Sequence, residues 1–163
     1  MIAVRQLGPD DWRVFRDLRL QALGESPGNF FRALADEKAA PDSRWIDLLS
    51  GDHQALFGLF DDDRLIGITG VFTDRNDPTT AEFGMTWLDP AWRGRGLSAI
   101  YYSERIGWAR GRGFARISVS HRRSNETSRR AMLAAGFRET GAEPHVWPDG
   151  QEDDDVHYEM VLT

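Results

Sequence analysis

Cysteine is absent from all 163 residues, which excludes disulfides, thiol nucleophiles and thiolate metal sites. Stability therefore has to come from packing. Lysine is nearly absent as well: Lys38 is the only one, so arginine carries almost all of the positive charge. The formal balance is −6, whereas a protein whose main task is to grip nucleic acid needs a basic surface to neutralise phosphates. Long apolar runs are missing too. No stretch approaches the roughly 18 to 20 apolar residues that a membrane span requires, and Met1 leads into IAVRQL without a basic start and an apolar signal core. These absences predict a soluble, cytoplasmic protein with neither nucleic acid nor membrane as partner.

What is present suits a folded core. Hydrophobic residues make up 40% and charged residues 28%, within the range of a single compact domain spanning 1–163. IAVRQL alternates like a half-buried strand, and Pro9-Asp10-Asp11 then starts a helix that carries Phe15, Leu18 and Ala22 to Gly24. Pro41-Asp42-Ser43 opens a second helix that Gly51 ends. QALFGLF and RLIGITGVF read as a hairpin across an Asp-Asp-Asp turn, and TTAEFGMTWL continues the meander, with Gly84 marking a bulge or a close backbone approach.

Beyond Pro90 the texture changes. A helix from Leu97 to Arg110, a strand ARISVS, a helix in SNETSRRAMLAAG and a strand at FRETG follow, and the chain closes on strands around a Pro-Asp-Gly turn. The order is strand, two helices, three strands, helix, strand, helix, two strands: an α/β fold in which a meander feeds a βαβ unit.

The stretch LDPAWRGRGLS, residues 88–98, places the backbone amides of Gly94, Arg95, Gly96 and Leu97 at a helix start. There the unpaired N–H groups and the helix dipole favour an anion. It is not a Walker A loop, because no Gly-Lys-Ser/Thr ends it. Nor is it a Rossmann fingerprint, which needs its glycines after the first strand and an acidic residue some 20 positions on.

This stretch, followed by a helix, a strand and NETSRRAMLAAGF, residues 125–137, resembles the GNAT superfamily of acetyl-CoA-dependent N-acetyltransferases. Arg93, Gly96 and Ser98 match that family's Arg/Gln-x-x-Gly-x-Gly/Ala hallmark, with Ser98 a mild departure. Asn125 and Gly136-Phe137 match its second landmark. The resemblance implies a GNAT-like fold, with a mixed, mostly antiparallel sheet whose fourth and fifth strands splay to make a cofactor cleft. It implies that the loop Arg93, Gly94, Arg95, Gly96, Leu97, Ser98 holds the pyrophosphate of acetyl-CoA. Trp87 and Leu88 would offer backbone groups to the pantetheine arm, and Asn125 would contact its far side. Homodimers are common in the resembled family.

Transfer of acetyl to an amine needs a group to take the amine's proton. Glu82, the one carboxylate inside TTAEFGMTWL, is the candidate general base; its alternative is a plain solvent-facing position. Members that protonate the leaving thiolate use a Tyr four residues before the Gly of Gly-Phe, and here that residue is Met132, which donates no proton. Ser128 is a candidate polar neighbour of the sulfur, and a thiol ionising near pH 8.5 can also leave unassisted. The four histidines show no metal-ligand spacing, so no metal is expected. Arg122 and Arg123 are candidates for the 3′-phosphate of coenzyme A or for solvated surface.

The acceptor, a small-molecule amine or less plausibly a protein N-terminus, would enter between the early helices and the last hairpin. Phe30, Phe31 and Trp147 are the candidate apolar wall, with Glu152, Asp153 and Asp154 supplying negative potential; the alternative is that these aromatics are core. Met132 also admits a different class of function, a catalytically silent acyl-CoA-binding module.

Overall fold

Ile2 and Val4 point one way along the first strand, β1 (Ile2–Gln6), and the chain then turns through Gly8, whose amide donates to Asp11 Oδ2 at 2.8 Å. In the computed structural model, which describes residues 1–162, that turn launches α1 (Trp12–Glu25). Its inward face is Phe15, Leu18, Arg19, Ala22 and Leu23. Burying Phe15 and Leu23, both 0% exposed, stabilises the fold by ~2 kcal/mol each. Two short helices follow, α2 (Leu34–Lys38) and α3 (Asp42–Leu48). One helix was expected here; α2 is too short to carry an apolar period, and Glu37 buried against Arg32 and Arg44 holds it.

The meander is β2 (Gln54–Asp61), β3 (Arg64–Thr73) and β4 (Thr80–Leu88). Then come α4 (Ser98–Gly111), β5 (Arg116–Arg122), α5 (Glu126–Ala134), β6 (Arg138–Val146) and β7 (Glu152–Val161). FRETG and HV, separate in the sequence reading, lie in one strand, β6, bulged between Glu139 and Gly141. The seven strands form one sheet in the order β1-β2-β3-β4-β5-β7-β6. Only β4 and β5 run parallel.

Each face has its own core. Phe15, Leu18 and Ala22 of α1 and Trp45 of α3 pack on Leu56, Ile68 and Trp87. On the opposite face, Tyr102 and Ala109 of α4 and Met132 of α5 pack on Phe83, Ile117, Val119, Val156 and Tyr158. Among the described residues no helix is long and apolar enough to cross a membrane.

Candidate functional site

The parallel pairing of β4 and β5 is short: Thr80 faces Arg116, Ala81 faces Ile117, Glu82 faces Ser118, and there it ends. Beyond Glu82, β4 stays paired to β3 alone. The separation coincides with a bulge in which the register shifts between Ile68 and Gly70, and Met85 takes a left-handed φ of 56°. The bulge falls one residue after Gly84, where it was expected. A bulge needs an extra residue bent out of the ladder, and neighbouring contacts hold Met85 in a conformation that a side chain otherwise resists.

β4 ends at Pro90, and the chain turns through Gly94 and Gly96 at φ 77° and 75° into α4. A Cβ on either glycine would meet nothing within 4 Å. The glycines therefore serve the left-handed turn, and the surface in front of their amides is open. Among the described residues, the N–H groups of Gly94, Arg95, Gly96, Leu97 and Ser98 donate no hydrogen bond. Five successive free amides at a helix start form a concentrated anion-binding surface. A groove of about 270 Å³ runs from here between α4 and α5, lined by Ser98, Ala99, Tyr102, Ala131 and Ala134.

Arg93 turns its side chain away from those amides. Its Nε donates to the Leu88 carbonyl at 2.9 Å, and its two terminal nitrogens donate to Glu25 at the end of α1. Glu25 also accepts from Trp87 Nε1 at 2.9 Å. The Arg93 guanidinium, helped by Ser26 and Trp87, holds the Glu25 carboxyl down at about 2. The sequence reading missed Glu25, since nothing in a helix end identifies a partner 68 positions away. The carbonyls of Trp87 and Leu88 both carry protein hydrogen bonds, the former from the Tyr101 hydroxyl.

Glu82 lies on the α1 face, opposite Phe72 across β3, at the last paired position before the strands part. Its side chain is exposed to solvent, as the alternative reading of the sequence had it; what desolvation it has, and then the Asp74 carboxylate beside it, raise its pKa above the ordinary value, and Arg75 and His157 work against them. A carboxylate whose pKa is raised is a better proton acceptor than an ordinary glutamate.

Asn125 caps α5, its side chain accepting from the Ser128 amide at 3.2 Å, and Ser128 is half-buried in the first turn. Met132 is buried in the core beneath. Tyr158 shares that core cluster, and its hydroxyl lies 3.0 Å from His121 Nε2. Since His121 Nδ1 sits 2.6 Å from the Arg122 carbonyl and donates to it, Nε2 is the acceptor and the Tyr158 proton points at His121.

The proposed acceptor wall is partly corrected. Phe31 and Trp147 do stack, with centroids 5.1 Å apart, and His145 meets both edge-on. Phe30 turns inward beneath the Arg19 guanidinium and packs with the α1 core, because successive residues of an extended segment point opposite ways. Asp153 and Asp154 do not project free charge: Arg122 binds Asp153 and Arg123 binds Asp154. That also takes both arginines away from the 3′-phosphate role considered for them. Arg122 further donates to Asp149 and to the Gly28 carbonyl, tying the loop after α1 to the β6–β7 turn. Glu152 is exposed and has no ion pair among the described residues; on the α1 face Glu143 and Asp155 pair only with His157, at 3.2 and 3.3 Å. Burial pushes the Asp155 carboxyl up, with Ser120 and His157 opposing.

A sequence model described as the Acetyltransferase (GNAT) family matches residues 17–137. No curated protein matches the chain. Among solved structures, an acetyltransferase of the GNAT family from Streptococcus pneumoniae superposes with a TM-score of 0.85 at 16% identity, over 100% of both chains. An acetyltransferase from Salmonella typhimurium, solved with acetyl-CoA, gives 0.82 at 16% identity over 99% of this chain and 94% of that one. A ribosomal-protein-alanine N-acetyltransferase from Brucella melitensis gives 0.81 at 15% identity over 98% and 99%. At such identities the likeness establishes the fold and leaves the acceptor open.

Proposed function

The chain belongs to the Acetyltransferase (GNAT) family of acetyl-CoA-dependent enzymes, and from that premise we propose that it acetylates a primary amine of a small molecule, with Glu82 as general base. The observation that carries this is the position of Glu82. It is the last residue of β4 paired to β5, it faces the α1 side, and its pKa is raised.

Acetyl-CoA supplies the acetyl group as a thioester, and the chain's own residues do the rest. The amides of Gly94 to Ser98 take the pyrophosphate at the start of α4, and the α4–α5 groove beside Ser98 receives the adjoining part of the donor. Asn125, already capping α5, borders the pantetheine from the other side. The acceptor lies on the opposite face of the sheet, between Glu82 and the Phe31–Trp147 stack. Glu82 takes the ammonium proton so that the neutral amine attacks. Arg122, bonded to the Gly28 carbonyl, Asp149 and Asp153, ties the loop after α1 to the β6–β7 turn beside this region, which favours a small acceptor over a protein terminus. No tyrosine stands at position 132, so the thiolate leaves without a side-chain acid there.

Met132 also supports a second reading, an acyl-CoA-binding module without turnover. Release of free thiol from acetyl-CoA across a panel of amines, amino acids and peptides, with wild type and Glu82→Gln, separates the two. Turnover that the substitution suppresses supports the transferase. Acetyl-CoA binding with no turnover on any acceptor overturns it.

A further inference from the structure

Asp155 is buried, its side chain only 6% exposed, and its Oδ1 has no hydrogen-bond partner among the described residues. A buried carboxylate oxygen without a partner is costly. The nearest arginines are engaged elsewhere. Arg122 is held by Asp149 and Asp153, Arg123 by Asp154 and Arg138 by Glu159. That leaves the Ser120 hydroxyl and the imidazoles of His145 and His157 facing Asp155, and the Nε2 of His157 is shared between Asp155 Oδ2 and Glu143 Oε1. Glu143, Asp155 and His157 present donor atoms within 4.8 Å of one another: two carboxylates, one imidazole and one unsatisfied oxygen.

This cluster shares a face with Glu82. Val156 and Tyr158 of β7 enter the α4–α5 core, so Asp155 and His157 point to the α1 side, where Glu143 meets them. Glu82 pairs with Ser118 and Ser118 with Glu159, so His157 and Asp155 lie two and four residues further along β7. At about 3.3 Å per residue and about 4.8 Å per strand, the Cα of Glu82 is roughly 12 Å from that of His157 and roughly 16 Å from that of Asp155. The Phe31, His145 and Trp147 rings stand beside the cluster.

We propose that Glu143, Asp155 and His157 hold a second cationic group of the acceptor, and that the substrate is an aliphatic dication. Its reacting amine sits at Glu82 and its second ammonium at the cluster, with roughly 8–12 Å between the two nitrogens once side-chain reach is allowed for. An ammonium brings three N–H donors, enough for the free Asp155 oxygen and for Glu143. The apolar spacer crosses the sheet from β4 to β7, and the aromatic stack lies past the cluster on the side away from Glu82. This assignment rests on the reading of Glu82 as base and of this face as the acceptor side.

The test is equilibrium binding, by calorimetry, of the eight-carbon α,ω-diamine and of octylamine to the acetyl-CoA-saturated protein, with acetyl transfer followed in parallel. The diamine is expected to bind at least ~10-fold tighter, about 1.4 kcal/mol. Asp155→Asn and Glu143→Gln should each bring its affinity down to that of octylamine. Glu143 is exposed, so its substitution does not threaten folding. Equal binding of the two amines by wild type overturns the proposal, as does a diamine advantage that survives both substitutions. Binding of Zn²⁺ at these residues with no preference for the diamine also overturns it. If the diamine binds through Asp155 and no amine is acetylated, the transferase reading falls while the cation site stands.

Discussion

Arg93 and Glu25 form a two-pronged ion pair at 3.1 and 3.0 Å, joining the loop before α4 to the end of α1 on the other face of the sheet. Glu25 is held at about 2 by this pair, against 4.5 for an ordinary glutamate. A depressed carboxylate contributes stability in full above its unfolded value and loses it as pH falls through the folded one. The melting temperature of the wild type is expected to fall between about pH 5 and pH 2 more steeply than that of Glu25→Gln. Equal slopes in a pH series of melting curves would show the pair to be silent.

Glu82 is raised by desolvation and by Asp74, so the acidic limb of the kcat/KM profile should lie above the ordinary glutamate range. Glu82→Gln is expected to lower kcat/KM at neutral pH by roughly 10²-fold, the lower end for a general base, and to remove that limb. A limb that survives the substitution belongs to another group.

Gly94 and Gly96 hold positive φ with open space in front. Gly96→Ala therefore meets strain without collision, costing about 1–2 kcal/mol. Turning the amides aside should raise the KM for acetyl-CoA roughly tenfold, a 1.4 kcal/mol loss. Denaturant melts and donor titrations read the two effects separately.

Glu37 has a side chain that is 0% exposed and binds both Arg32 and Arg44. Removing its charge leaves the arginines around a buried neutral amide, and Glu37→Gln is expected to destabilise the protein by ~3 kcal/mol. A urea midpoint unchanged from wild type would refute this.

Tyr158 donates its proton to His121 in the core under α5. Tyr158→Phe leaves His121 Nε2 without a donor and should cost about 1–2 kcal/mol of stability. Its kcat should stay within about threefold of wild type, against the 10²–10⁴ lost with a general acid. A hundredfold fall would make Tyr158 the missing acid.

Much of the frame could be read from local pattern. Alternation in IAVRQL, the helical recurrence from Phe15 to Ala22 and the glycines at 94 and 96 each act within a few residues, and each stands where expected. The α2 turn escaped because it is held by the Glu37 ion pairs and not by an apolar stripe. The charge pairing of the last hairpin escaped for a different reason. Asp153, Asp154 and Asp155 look alike in sequence, yet Arg122 and Arg123 claim the first two, and only the fold shows that Asp155 is left over. Phe30 and Phe31 are adjacent in sequence, and the backbone sends them to opposite sides.

Glu82 and Trp87 are five positions apart, an odd number, and in an unbroken strand they would project from opposite surfaces. Both face α1, because Met85 shifts the phase of β4 by one step between them. That single inserted residue puts Glu82 and the Trp87–Glu25–Arg93 anchor on one surface, so that in the proposed mechanism the first half of the strand faces the acceptor while the second half holds the loop assigned to the donor. Excising Met85 would leave every other residue in place and set the two halves out of step, turning Glu82 and Trp87 to opposite surfaces of the sheet.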